Sequence, residues 1–353
     1  MNVKKILSLV ASTIKLFIII LLFSSNSKAE DVNIKYYSDD RGILSLMYHR
    51  FNEDKYPSTN IQMNIFKQQI EIIKKLKYNF YNPKNLEKNF DTPKTEKKIL
   101  ITIDDAFSSF YEFAWPYLKN EKIPFILFVS TGAVGKNGYM TWDQIREIEK
   151  ETFTYIGNHS HSHDYLVDLK NDDFIMDINN SSLIFKDKLG YNPIFYSYPF
   201  GEYSTLIKEY ISKNFKFSFG QHSGVIDINK NRHELPRFPI NEKYGDLKRF
   251  EFLIDLSPLQ YKSLYPIEKY LTKNNNPPSF LVEFFNEQKN IKNINCFSDE
   301  GNKWMKSNIY FNQNTLSLSF REKFNFRRGR INCSLNDGGV WRWFGVQFSV
   351  KQN

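Results

Sequence analysis

The sequence predicts an α/β protein, a mostly parallel sheet or barrel of strands alternating with helices, followed by a small all-β, sandwich-like C-terminal unit. Three observations predict it. Over roughly two hundred residues, short apolar runs alternate with stretches that carry apolar side chains at helical spacing. Past about residue 255 the helical spacing gives way to short aromatic and β-branched runs. At 353 residues, 41% hydrophobic and 25% charged, the chain is globular in composition and long enough for more than one core.

The first element is not part of the fold. Residues 1–29 read as an export signal: Lys4 and Lys5 precede an apolar stretch that runs to about Phe23, and Ser27-Lys28-Ala29 offers small residues before Glu30. Lys15 inside the apolar stretch argues against an uncleaved anchor, so no stable membrane span is expected after cleavage. Losing Lys4, Lys5, Lys15 and Lys28 lowers the formal charge from +9 to +5. The remaining Lys is dispersed among Asn, Asp and Glu, which gives no footprint for nucleic acid. The protein is expected in the periplasm or outside the cell.

A catalytic-sized unit, 30–255, follows. Strands are expected at 43–48, 99–103, 125–129, 154–156, 194–198 and 215–219. Helices are expected between them. Residues 64–76 set Phe66, Ile70, Ile73 and Leu76 on one face, with Thr59 and Asn60 offering caps just upstream. Further helices are expected at 109–120, 142–150, 172–188 and 204–214, with Ile175, Ile178 and Leu183 as buried positions of the fourth. A linker at 274–278 lies within the last unit, 256–353, whose strands are expected at 280–285, 307–311, 316–320, 329–334 and 340–350. Trp341 and Trp343 share a face at spacing two and read as core aromatics, with sugar stacking, which Trp304 would share, as the alternative. Two cysteines exclude a disulfide-dense scaffold and a Cys-rich zinc ribbon. Both lie in the last unit, and export permits a Cys296–Cys333 bridge.

Chemistry collects at the C-terminal ends of parallel strands, and three features lie there. Asp104-Asp105 directly follows an apolar strand, where one acid can hold a cation while its neighbour stays ionised as a general base. His159-Ser160-His161-Ser162-His163 gathers three of the six histidines within five positions. Two imidazoles and a carboxylate make a hydrolytic metal site with positions left for water. Tyr198-Pro199-Phe200-Gly201 ends another strand in a turn able to present the Phe200 backbone N–H to an oxyanion.

Together these features resemble the polysaccharide deacetylase family (NodB-homology, carbohydrate esterase family 4). The Thr-Phe-Asp-Asp motif is read in Thr102-Ile103-Asp104-Asp105 and the His-Ser/Thr-x-x-His motif in 159–163. The Arg-x-Pro-Tyr motif is met only in part by Ser197-Tyr198-Pro199-Phe200. Met47-Tyr48-His49-Arg50 is similar to the opening of the exported poly-N-acetylglucosamine deacetylase branch. The resemblance covers 43 to about 245. It implies a distorted (β/α) barrel, a divalent metal, usually zinc, held by Asp105, His159 and His163, and Asp104 as general base. It also implies an acetylated polysaccharide or oligosaccharide substrate.

Two departures stand out. The family Arg that holds the base is Ser197 here, and Arg237 is a candidate for the missing charge. The family's late general-acid His is not recognisable, which leaves His222 and His233 as candidates and His49 as a third. These departures keep two rival readings open. One is an O-acyl carbohydrate esterase, the other a non-catalytic carbohydrate-binding protein on a degenerate deacetylase fold.

Overall fold

Six consecutive buried residues, Ile43–Tyr48, form β1, the strand around which the rest of the sheet is laid in the computed structural model, which describes residues 39–288 and 290–352. A strand covered on both faces has to be apolar throughout rather than alternating, which is why Ile43, Leu44, Leu46 and Met47 stand together. The expected export signal lies outside the described residues. Among those residues no helix is long and apolar enough to cross a membrane.

β2 (Asn79–Phe80), β3 (Lys98–Ile103), β4 (Phe125–Val129), β5 (Thr154–Asn158), β6 (Phe195–Ser197), β7 (Phe217–Phe219), β8 (Val225–Ile226) and β9 (Phe238–Pro239) complete a nine-stranded sheet. Its order is β8-β1-β3-β4-β5-β6-β7, with β9 also on β1 and β2 on β3. Only β8 runs antiparallel to its neighbour. The register sets Leu46 beside Ile101, Ile101 beside Phe125 and Leu127 beside Ile156, so branched and aromatic side chains stack across strands. The sheet curls. Leu235 bridges to Phe219 on β7, and three residues later Phe238 pairs with Leu46 on β1, so a single short segment spans both sides of the curl. Ile43, Leu100, Ile126, Phe128, Phe195, Phe217 and Phe219, drawn from five of these strands, share one cluster. The result is the distorted (β/α) barrel expected.

The flanking helices are Met63–Lys75, Trp142–Glu149, Asn171–Leu189, Thr205–Asn214 and Leu247–Ile254. Thr141 and Gln144 form a reciprocal capping box at the start of the second. Several sequence expectations shift here. Helix Met63–Lys75 is preceded by Gln62 rather than by Thr59 or Asn60. Asn60 is instead in a short strand, donating to Glu242 and accepting from the Glu53 N–H. Leu76 falls just past the helix and is exposed, and Leu183 is 66% exposed. The buried face of the third helix is Phe174, Asp177, Ile178, Ser181 and Phe185, because two polar residues lie on the inner face and hide its period. The expected helix at 109–120 is a π-turn, Phe110–Ala114, running into Trp115–Glu121.

After residue 256 the chain builds two more sheets. One has six strands, centred on the hairpin Arg328–Asp337 and Val340–Val350; the other has four, among them Phe280–Glu283 and Thr315–Ser319. Gly338 and Gly339, at φ 61° and 94°, supply the left-handed pair that a two-residue hairpin turn needs. Arg328–Asp337 alternates half-buried and buried over most of its length, the signature of a one-sided sheet. Leu316, Ile331, Leu335, Phe344 and Phe348 are among the residues of a separate core. Cys296 and Cys333 face each other across paired strands and are bridged, with Cα atoms 4.1 Å apart.

Trp341 and Trp343 do share a face, but it is the other face of the sheet from that core. Trp343 packs 6.4 Å from Phe238 of the barrel, and Trp341 packs 5.9 Å from Phe252.

Candidate active site

The site is assembled by backbone that leaves the strands abruptly. Asp104 still donates its N–H to Tyr48 O at 2.9 Å, continuing the β1–β3 ladder, and then Asp105 and Ala106 take φ of 72° and 56°. Two successive left-handed non-glycine residues cost about 1 kcal/mol or more each, and such strain concentrates where side chains must be aimed. After β5, the His159 N–H bonds Val129 O at 3.0 Å, and the loop then folds on itself with Ser160 and His163 at φ 69° and 58°. Asp177 holds this loop, its two carboxylate oxygens accepting the His161 and Ser162 N–H groups at 2.8 Å each. Asn158 assists by accepting the Ser160 N–H at 2.8 Å while donating to Ser181.

Asp105, His159 and His163 meet, with one ligand atom from each lying within 4.8 Å of the others. His159 Nδ1 lies 2.7 Å from Ser197 O, an acceptor only, so Nδ1 carries the proton and Nε2 keeps its lone pair. That Nε2 lies 3.3 Å from Asp105 Oδ1, and His163 Nε2 lies 3.1 Å from the same oxygen. Asp105 Oδ1 is buried and accepts no hydrogen bond among the described residues. An orphaned buried carboxylate oxygen facing two imidazole nitrogens is a donor set suited to a divalent cation, so the three residues fit the implied metal. Burial pushes the Asp105 carboxyl up, but the two imidazoles outweigh it and hold it well below its ordinary value. His163 is half-buried, which pulls its pKa down, yet Asp105 raises it above the ordinary value. His161 stands apart from the three, with Nδ1 2.9 Å from Thr131 Oγ1.

Asp104 is fully buried and its charge is answered by Arg237. The guanidinium donates through Nη1 to Oδ1 at 2.6 Å and through Nη2 to Oδ2 at 2.9 Å. Arg237 is itself fixed by Gly220 O at 2.9 Å and Ser197 Oγ at 2.8 Å. Burial opposes ionisation of Asp104, but Arg237 first, then His159 and His49, hold its pKa below the ordinary carboxylate value. The charge that Ser197 cannot supply to Asp104 thus comes from Arg237, on a different segment.

Phe200 sits at φ 58° in the turn Pro199–Gly201, its ring 4.7 Å from His163 and stacked on Tyr165 at 4.2 Å. Gly201, at φ 69°, could not carry a Cβ, which would lie 2.4 Å from the Gln221 nitrogen. The remaining histidines separate clearly. His49 lines the same cleft as Asp105, His163 and Phe200. Burial pulls its pKa down against the two aspartates. His222 lines two other cavities and faces Glu234, Lys230 and Lys269; burial pushes its pKa down to about 4. His233 lies 3.2 Å from Ser218 Oγ and accepts from Tyr198 through its carbonyl. Neither His222 nor His233 joins the metal trio.

The C-terminal β unit also reaches the cleft. Phe326, Arg327, Arg328, Arg330 and Gln347 line it, and Gln347 Nε2 donates to Phe200 O at 3.0 Å. Arg327 ties the two parts together through bonds to Glu202 and Asp168. None of these was singled out from the sequence. Asp177 carried a signal, an acid among Phe174 and Ile178 on a buried helix face, whereas Gln347 carried none.

The polysaccharide deacetylase family model matches residues 91–217. A Staphylococcus aureus poly-beta-1,6-N-acetyl-D-glucosamine N-deacetylase is 24% identical over 234 residues, covering 58% of this chain and 80% of that protein. A putative polysaccharide deacetylase of Bacillus subtilis is 25% identical over 161 residues, 45% of this chain and 57% of that one. Among solved structures, the Streptococcus pyogenes deacetylase PplD superposes with a TM-score of 0.56 at 21% identity, over 61% of this chain and 99% of that one. IcaB from Ammonifex degensii gives 0.53 at 24% identity, over 61% and 97%. Both structural likenesses bear on the fold.

Proposed function

We propose, from the premise that this chain belongs to the polysaccharide deacetylase family, that it is a metal-dependent hydrolase that removes N-acetyl groups from an N-acetylglucosamine-type polysaccharide and releases acetate. The observation that carries this reading is the pairing of a buried, Arg-held carboxylate, Asp104, with the adjacent Asp105–His159–His163 donor set. The β-1,6-linked polymer named for the Staphylococcus aureus relative is the first substrate to test.

Asp105, His159 and His163 would hold the cation, for which zinc fits the nitrogen-rich donor set. The chemistry such an ion supplies is Lewis-acid polarisation of a carbonyl and acidification of water. Asp104, kept ionised by Arg237, accepts a proton from the water that attacks the acetyl carbon. The Phe200 N–H is the candidate donor to the oxyanion that develops. The C–N bond then breaks with a proton delivered to the leaving amine, and His49, in the same cleft, suits that delivery better than His222 or His233. One water is consumed per acetate and free amine formed.

The division we propose is an export signal at 1–29, a deacetylase unit at 30–255 and a β unit at 256–353, with work outside the cytoplasm. The Cys296–Cys333 bridge is compatible with an oxidising compartment. The test is acetate release from N-acetylglucosamine oligomers, with an O-acetylated sugar alongside and Asp104→Asn as control. Release from the N-acetylated substrate alone, abolished in Asp104→Asn, is expected. Release only from the O-acetylated sugar, or none from either with the metal bound, would overturn the reading.

A further inference from the structure

Next to the catalytic cleft lies a second groove, between the barrel and the C-terminal β unit. Tyr244 and Phe252 line it from the barrel side, and Trp304, Asn332 and Trp343 from the β unit. It is continuous with the cleft, because Gln221, Pro239, Tyr244 and Arg330 line both. Trp304 is 39% exposed, and its indole is backed by the Arg330 guanidinium, 5.8 Å from the ring. Arg330 is in turn held by Asp299, which accepts from its Nε at 2.9 Å. On the opposite wall Tyr244 is flanked by Arg249 at 5.2 Å and Lys243 at 5.4 Å. Trp343 adds a buried indole N–H with no hydrogen-bond partner among the described residues.

A groove with aromatic faces on both walls and polar side chains such as Arg330 and Asn332 between them matches a pyranose. Such a ring presents apolar C–H faces and a rim of hydroxyls that accept and donate. We infer that this groove holds the N-acetylated saccharide chain beyond the unit at Asp104, with Trp304 as its stacking platform. The inference rests on the deacetylase reading, since it is the continuity with that cleft that makes the occupant a polymer. The β unit then supplies chain-length preference.

The test uses the full chain carrying Asp104→Asn, so that binding is read without turnover, and β-1,6-linked N-acetylglucosamine dimers and hexamers as probes. Calorimetry should show the hexamer binding more tightly than the dimer. Adding Trp304→Ala should weaken the hexamer about tenfold, the loss of one stacking contact, and leave the dimer unchanged. Trp304→Phe should restore most of the loss, which a merely structural role would not predict. A hexamer that binds no better than the dimer, or equally well with and without Trp304, would overturn the inference. Failure of the deacetylase reading shows separately, as a wild-type protein that releases no acetate yet keeps this length-dependent binding.

Discussion

Arg237 grips both oxygens of Asp104, at 2.6 and 2.9 Å, from a segment that the chain reaches only after passing through most of the barrel. The two side chains are wholly buried, and the second carboxylate contact, Ser197 Oγ at 3.4 Å, is long. Arg237 is therefore the largest influence favouring the Asp104 charge, ahead of His159 and His49.

Replacing Arg237 by Ala should cost about 3–5 kcal/mol in denaturant unfolding, because it leaves a buried carboxylate unpaired. Arg237→Lys keeps the charge but loses the paired geometry. The acid limb of its kcat/KM profile should move to higher pH, since Asp104 is held below its ordinary pKa chiefly by Arg237 acting against burial. An unmoved acid limb would separate Arg237 from the base. Ser197→Arg should also inactivate, because Arg237 already occupies that space.

Metal analysis after dialysis should show His159→Ala and His163→Ala losing the bound cation while His161→Ala retains it. Asp177→Ala, which frees the loop without removing a ligand, should weaken metal affinity by roughly tenfold or more. Equal metal content in all four would remove the donor assignment.

Unfolding stability should fall as pH drops from about 6.5 toward 4, in part through His222. Its pKa is about 4 when folded and about 6.5 when free, so the unfolded chain binds the extra proton between those values. His222 thus contributes stability that is complete above 6.5 and lost on acidification. With its ring partly exposed, about 2 kcal/mol is a reasonable size. Urea midpoints at pH 7.5 and pH 5 should therefore differ more in the wild type than in His222→Gln; equal differences would show His222 is not the source.

Cys296→Ala with Cys333→Ala should lower stability by about 3–4 kcal/mol, the loop-closure effect for a sequence separation of 37. The loss should appear in the β unit, as earlier cleavage of 256–352 by protease, with bound metal unchanged. Protease cleavage at the wild-type rate would argue against it.

The barrel was legible because parallel strands buried on both faces announce themselves as unbroken apolar runs, as in Phe125–Val129. The donor set was legible because His159 and His163 are four apart, and because Asp105 stands beside Asp104 at the end of an apolar strand. Arg237 was within reach of the sequence only as a charge without an address, since pairing across the barrel leaves no local spacing. Leu183 misled because helical periodicity assumes an apolar inner face, and here Asp177 and Ser181 occupy that face to anchor the histidine loop. His49 lines the cleft while His222 and His233 do not, and its place directly after β1 was the sign of this in the sequence. The face of Trp341 and Trp343 was read correctly as shared, but alternation says which residues go together and not which neighbour they meet.

Gln347 donates to the carbonyl of Phe200 across a separation of 147 residues. In genetic terms the turn and its support are far apart. A frameshift or stop codon anywhere between them leaves Asp104, Asp105, His159 and His163 all encoded, and a reader scanning for motifs would score such an allele as intact. The truncated product would nonetheless lack the side chain that donates to the Phe200 carbonyl at the edge of the cleft. Motif retention is therefore a poor guide to which alleles of this gene are null.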